Sequence, residues 1–273
     1  MPTFYSPRSE ARARYLQALL GGEIDYYSSQ FQVRFAPVTM AVLNTEQWSK
    51  VAGEDPYGMP SVGGSNPYVF VMPSSCAQVT WMPYPKRGAV PAAIIRQALT
   101  KGKTWDEVKF KGCDGIGTHE IGHTITDQLG IDPQTHWFNE FLASYVGYAY
   151  LKAKHPPEAL ASEIFLTQGL DVPHPFTKLS DFESKYDELE QKHPANYGWY
   201  QLALDQRVME IYPSSGVQFL RSIRSAFPKH GPRLDSNQVL EKLEALSSGW
   251  KSWSMHVEAG DVEAVKLPPA NHP

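Results

Sequence analysis

A chain of 273 residues, 42% hydrophobic and 20% charged, can bury a large core, and one catalytic unit of two packed subdomains is the natural expectation. The net charge of −4 offers no basic surface, which argues against a nucleic-acid partner. No apolar run reaches the roughly 18 residues that cross a bilayer, so no membrane span is expected, and the opening residues MPTFYSPRSEARAR lack the apolar segment of a signal peptide.

In chain order, residues 8–20 read as a helix that Gly21 and Gly22 stop, with Leu16, Leu19 and Leu20 on one face. Strands are predicted over 31–35, 38–43, 68–72 and 78–81, each rich in β-branched or aromatic residues. Between them, EDPYGMPSVGGSNP (54–67) carries too much glycine and proline for regular structure and reads as a loop. From Val90 the periodicity turns helical. Pro91 suits a first helical position, and Thr104 with Glu107 forms a capping box. Further helices are predicted over 116–129, 134–153, 158–168, 180–191, 196–212, 216–226 and 237–247. Ser180 and Glu183 make a second capping box, Pro156 and Pro157 end the 134–153 helix, and the tail LPPANHP is frayed. Strands and helices followed by helices alone define an α+β class. The expected organisation is an N-terminal α+β subdomain over 1–130, a helical subdomain over 131–260 and a tail over 261–273.

The segment GTHEIGHTITDQLG (117–130) contains His119-Glu120-Ile121-Gly122-His123, the pattern HExxH. Helical residues four apart differ by about 40° in azimuth, so the two imidazoles leave one face about 6 Å apart, as two ligands of one Zn²⁺ require. Glu120 stands about 100° away, beside the metal, where a carboxylate takes a proton from water. Ile121, Ile125 and Leu129 form an apolar stripe on the opposite face. Catalytic zinc takes three protein ligands and an open position. Glu140 is the one charged residue of WFNEFLASYVGYAYL (137–151), and a buried carboxylate there calls for a cation. An antiparallel turn after Gly130 returns Glu140 to the level of His123. His136 stands too early in that helix to compete. Asp127 is either an outer partner of an imidazole or a solvated carboxylate, and Asn139 is either an outer hydrogen bonder or a buried amide. Leu129 stands where a metzincin has its third histidine.

HEIGH followed by WFNEFLASYV resembles the gluzincins, zinc metallopeptidases of zincin-like fold with a downstream glutamate ligand, and most of all the compact peptidase-MA-like branch. The resemblance is specific over about 115–150 and weak over 195–250. It implies that His119, His123 and Glu140 bind zinc and that Glu120 is the general base. Sixteen residues separate His123 from Glu140, fewer than in thermolysin, and position 144 is Ser144 where thermolysin-like enzymes carry an acidic residue. No GxMEN segment of the aminopeptidase kind occurs, so endopeptidase or specialised hydrolase activity is favoured. ANYGWYQLALDQRVMEIY (195–212) is similar to the later gluzincin helix that supplies an oxyanion donor. That likeness makes Tyr197 the first choice, Tyr200 the second and His193 a third.

The expected reading is a zinc metallopeptidase acting on peptide or protein substrates through a cleft between the two subdomains. The rivals are a zinc hydrolase of a non-peptide amide and a catalytically silent zinc module. Cys76 and Cys113 are as readily a disulfide as two free thiols. The abundance of tyrosine and tryptophan leans towards an extracytoplasmic home.

Overall fold

The first long helix runs further than its paired glycines suggest. In the computed structural model, which describes every residue except 54, 65, 66, 82, 83, 85, 100–102, 167–171 and 263–273, helix α1 spans Glu10–Phe31 and passes through Gly21 and Gly22. Gly22 lies under the Tyr150 hydroxyl, where a methyl group would come within 2.6 Å, so it is there for close packing. The helix ends instead at Gln32, in the left-handed region at φ 53°. This extension absorbs Phe31, and no strand forms over 31–35.

Strands β1 (Thr3–Tyr5), β2 (Val38–Leu43), β3 (Ser61–Gly63) and β4 (Tyr68–Pro73) make one sheet in the order β1-β2-β4-β3. β1, β2 and β4 run parallel, and β3 pairs antiparallel with β4, Val62 opposite Phe70. The inward residues Val38, Met40, Val42, Phe70 and Met72 alternate along their strands and enter the main core. β3 lies inside the segment read as loop, of which residues 54, 65 and 66 are outside the described residues. The strand expected over 78–81 is absent. Cys76–Gln78 forms a 3-10 turn, held by a Cys76–Cys113 disulfide and by the Tyr84 hydroxyl donating to the Cys76 carbonyl at 2.7 Å. Helix α2 (Thr45–Val51), unanticipated, is capped by the Asn44 side chain.

The remaining helices are α3 (Ala92–Leu99), α4 (Trp105–Gln128), α5 (His136–Lys154), α6 (Pro156–Leu166), α7 (Leu179–Ser184), α8 (Tyr186–Lys192), α9 (Pro194–Ala226), α10 (Ser236–Leu246) and α11 (Trp250–Glu258). The Thr104–Glu107 capping box does form, but it opens α4 eleven residues before the expected start at 116. The Ser180–Glu183 box does not form. Glu183 instead accepts the Trp137 backbone N–H at 3.0 Å and so caps the first turn of α5. The predicted 180–191 helix breaks into α7 and α8 at Lys185, whereas the predicted 196–212 and 216–226 helices merge into α9, kinked at Gly216 (φ 48°). Residues 167 and 168 of the expected 158–168 helix, and the tail LPPANHP, lie outside the described residues.

The protein is thus mixed α+β, and its largest apolar cluster draws on residues from Ala13 to Val257. α5 packs against both α4 and α9 and is buried on nearly every face, as its composition requires. Among the described residues no helix is long and apolar enough to cross a membrane.

One group in this core is costly. Glu23 of α1 is fully buried, both carboxylate oxygens lack partners among the described residues, and burial pushes its pKa well above the ordinary value of 4.5. Its folded-state pKa is raised, so its contribution to stability is complete below about pH 4.5 and is lost as the pH rises through the folded value. Glu23→Gln removes this titration. Melting temperatures measured from pH 5 to pH 8 should fall more steeply for the wild type than for the variant. Superimposable profiles would contradict the assignment.

Candidate metal centre

Two helices crossing almost backbone to backbone build the site. A methyl group at Gly122 would stand 2.4 Å from the Ala143 carbonyl oxygen, and one at Gly147 would stand 2.9 Å from the Thr118 hydroxyl and 3.0 Å from its carbonyl carbon, so α4 and α5 approach closely at both glycines. Ile121, Ile125 and Leu129 anchor the back of α4 in the core. The turn between the helices is fastened at Gly130, whose carbonyl accepts the Lys229 N–H at 2.8 Å, and at Asp132, whose N–H reaches the Phe227 carbonyl at 2.9 Å. The outcome is that Glu140 stands beside both histidines.

Nε2 of His119 lies 3.2 Å from Nε2 of His123 and 3.2 Å from Oε2 of Glu140, and Nε2 of His123 lies 3.7 Å from Oε1 of Glu140. Ligands about 2.05 Å from a tetrahedral Zn²⁺ stand about 3.3 Å from one another. The two imidazole nitrogens and the Glu140 carboxylate, which meets one nitrogen with each oxygen, therefore suit one zinc ion. The histidine side chains keep 17% and 19% of their surface exposed while Glu140 keeps 5%, so the triad is open on the histidine side. A cavity of about 310 Å³ begins there, lined by His123, Asn139, Asp132, Gln134 and Arg233 among others. No protein family, curated protein or solved structure matches the chain. The geometry alone carries the reading of this centre.

Glu140 is held at both oxygens: Oε1 accepts from the Tyr186 hydroxyl at 2.9 Å, and Oε2 from Gln201 Nε2 at 2.8 Å and the Tyr197 hydroxyl at 3.4 Å. Burial opposes its ionisation, but the His119 hydrogen bond, the two imidazoles and Gln201 hold it down to about 2. The histidines split. Burial works to discharge His119, yet the hydrogen bond and charge of Glu140 raise it to about 9, whereas burial takes His123 down to about 4. Glu120 is partly exposed beside the triad, and burial with the charges of Glu140 and Glu190 raises it to about 7 against the pull of His119.

Of the residues singled out in the sequence, the fold brings together His119, Glu120, His123, Glu140 and Tyr197. Tyr200 is not in the site: one turn further on the same helix, its ring packs beside Tyr197 on Phe182, but its hydroxyl is taken by the Lys178 carbonyl at 2.8 Å. His193 stands between α8 and α9 against Phe176. His136 is exposed and stacks on Tyr186. Asp127 serves no imidazole, since it accepts from Tyr68 at 2.6 Å and pairs with Lys229 at 2.9 Å. Asn139 lines the cavity beside His123, whose Nδ1 is buried without a well-formed bond. Cys76, Cys113 and Asp114 also converge, but the sulfurs are bonded to each other and Asp114 is paired with Arg12 at 2.6 Å.

Sequence reasoning missed Tyr186 and Gln201. Gln201 had a signal: Tyr197, Gln201 and Asp205 repeat every four residues through an otherwise apolar helical run, which marks a polar stripe facing something polar. Tyr186 had none, since its place depends on the break between α7 and α8.

Zinc affinity measured by chelator competition checks the ligand set. Glu140→Ala should weaken binding by more than the roughly 10–100-fold that loss of an outer partner costs. Unchanged affinity would remove Glu140 from the set.

Proposed function

We propose that this chain is a zinc-dependent peptidase of the gluzincin type with a zincin-like fold, holding its metal by His119, His123 and Glu140. The observation that carries the reading is the convergence of two imidazole nitrogens and the Glu140 carboxylate within ligand distance of one ion, beside Glu120, a carboxylate on the helix of the two histidines and outside the group that could hold the metal. A purely structural zinc site closes all four positions with protein and needs no such neighbour. Zinc here supplies Lewis acidity, polarising the substrate carbonyl and bringing the pKa of a coordinated water towards neutrality.

The chain's own groups divide the rest of the work. Glu120 takes the proton of the attacking water and passes it to the leaving amine. Tyr186 and Tyr197 both keep their protons, because burial and the charge of Glu140 push their pKa values up. Their hydroxyls lie 3.3 Å apart beside the triad. Tyr186 is committed to Glu140 at 2.9 Å, while Tyr197, at 3.4 Å, is the freer to turn its O–H to a developing oxyanion. Among the described residues β3 pairs with a strand on one side only and packs against α4, so its other edge supports docking of an extended peptide by main-chain hydrogen bonds.

Digestion of a peptide library by the zinc-loaded protein tests the activity. Glu120→Gln should keep fold and zinc and lower kcat by about 10²–10⁴. Near-normal turnover by that variant would overturn the base assignment, and no cleavage by the wild type would favour a silent zinc module. Tyr197→Phe should lose about 10²–10³ in kcat with little change in zinc affinity. Tyr186→Phe should instead loosen the metal. The reverse pattern would exchange their roles.

A further inference from the structure

α9 passes the metal centre with its polar stripe in step with that of α5. Tyr197, Gln201 and Asp205 follow at intervals of four on α9, and Glu140 and Ser144 are four apart on α5. Side chains four apart stand one above the other, about 6 Å along the axis. Gln201 meets Glu140 at 2.8 Å, so one turn further on Asp205 comes level with Ser144, within reach of a hydrogen bond from that serine. The same hydroxyl lies 2.9 Å from Nδ1 of His119. A hydroxyl carries a single proton. With that proton on Asp205, Ser144 is left to accept from Nδ1–H of His119, and Nε2, the atom facing Glu140 and His123, is the nitrogen left to bind metal.

Asp205 has little else to do. Among the described residues it forms no salt bridge within 4 Å, and Arg207, two positions on, turns to Glu210 at 2.8 Å and the Ser248 carbonyl at 2.7 Å. A serine at 144 brings no charge of its own to the imidazole. The packing of α9 on α5 supplies one from a residue 61 positions further along the sequence.

We propose that Asp205 is a positioning residue of the metal centre, acting through Ser144 to fix the ring and tautomer of His119. This rests on His119, His123 and Glu140 being the metal ligands, though not on peptidase chemistry. The test is the zinc dissociation constant, by chelator competition, of the whole chain carrying Ser144→Ala, Asp205→Ala, Asp205→Asn, both alanines together, and Ser144→Asp with Asp205→Ala. Each alanine should weaken zinc by about 10–100-fold. The double alanine should be no weaker than the worse single, because the two act in series. Ser144→Asp, which puts a carboxylate directly against His119, should restore affinity to Asp205→Ala. A general loss of structure would not be rescued in this way, and Asp205→Asn, which keeps the shape, should weaken zinc in the same direction. Wild-type affinity in Asp205→Ala, multiplying losses in the double alanine, or no rescue by Ser144→Asp would each overturn the relay. If instead the wild type takes up no zinc, or His119→Ala binds it equally well, the metal centre itself fails and the relay with it.

Discussion

The centre depends on the distance at which α4 and α5 cross. Gly122 and Gly147 allow backbone contact, and only that contact lets a glutamate side chain on α5 reach both imidazoles of α4. The interior glycine of HEIGH is thereby explained without reference to chemistry: position 122 faces the Ala143 carbonyl, and any Cβ there would push the helices apart. Ile121 and Ile125, on the far side, hold α4 in the core while the crossing is made.

The same crossing creates an electrostatic problem. Glu140 sits in a helix buried among Trp137, Phe138, Phe141 and Tyr145, where an unpaired carboxylate is strongly destabilising. It stays ionised because Tyr186, Tyr197 and Gln201 donate to it and His119 shares a proton with it. A divalent cation there would satisfy three groups at once. α9 supplies two of the donors and Asp205 besides, so the late helix is as much a part of the site as the motif helix.

The adjacency of His119, His123 and Glu140 was legible because most of it is local. HExxH puts two imidazoles and a carboxylate within about one helix turn, and the lone charge in the 137–151 run singles out Glu140. Its return to His123 needed only helix rise and a turn. What was not legible depended on tertiary contact. Gly21 and Gly22 read as a stop, but Gly22 is shaped by Tyr150, 128 positions away. Ser180 and Glu183 read as a box, but Glu183 caps α5. β3 gains its strand character from pairing with β4, and Tyr200 differs from Tyr197 only in its partner, the distant Lys178 carbonyl in place of Glu140. Cys76 and Cys113 gave no preference in sequence, and their bond joins the turn after β4 to the middle of α4.

The most direct measurement of the central claim is zinc K-edge X-ray absorption on the full chain loaded with one equivalent of Zn²⁺. The account predicts a shell of nitrogen and oxygen at about 2.0–2.1 Å with the multiple-scattering signature of two imidazoles, and that signature reduced to one imidazole in His123→Ala. A sulfur shell at about 2.3 Å, which would place the metal on Cys76 and Cys113, or the absence of stoichiometric zinc, would contradict it.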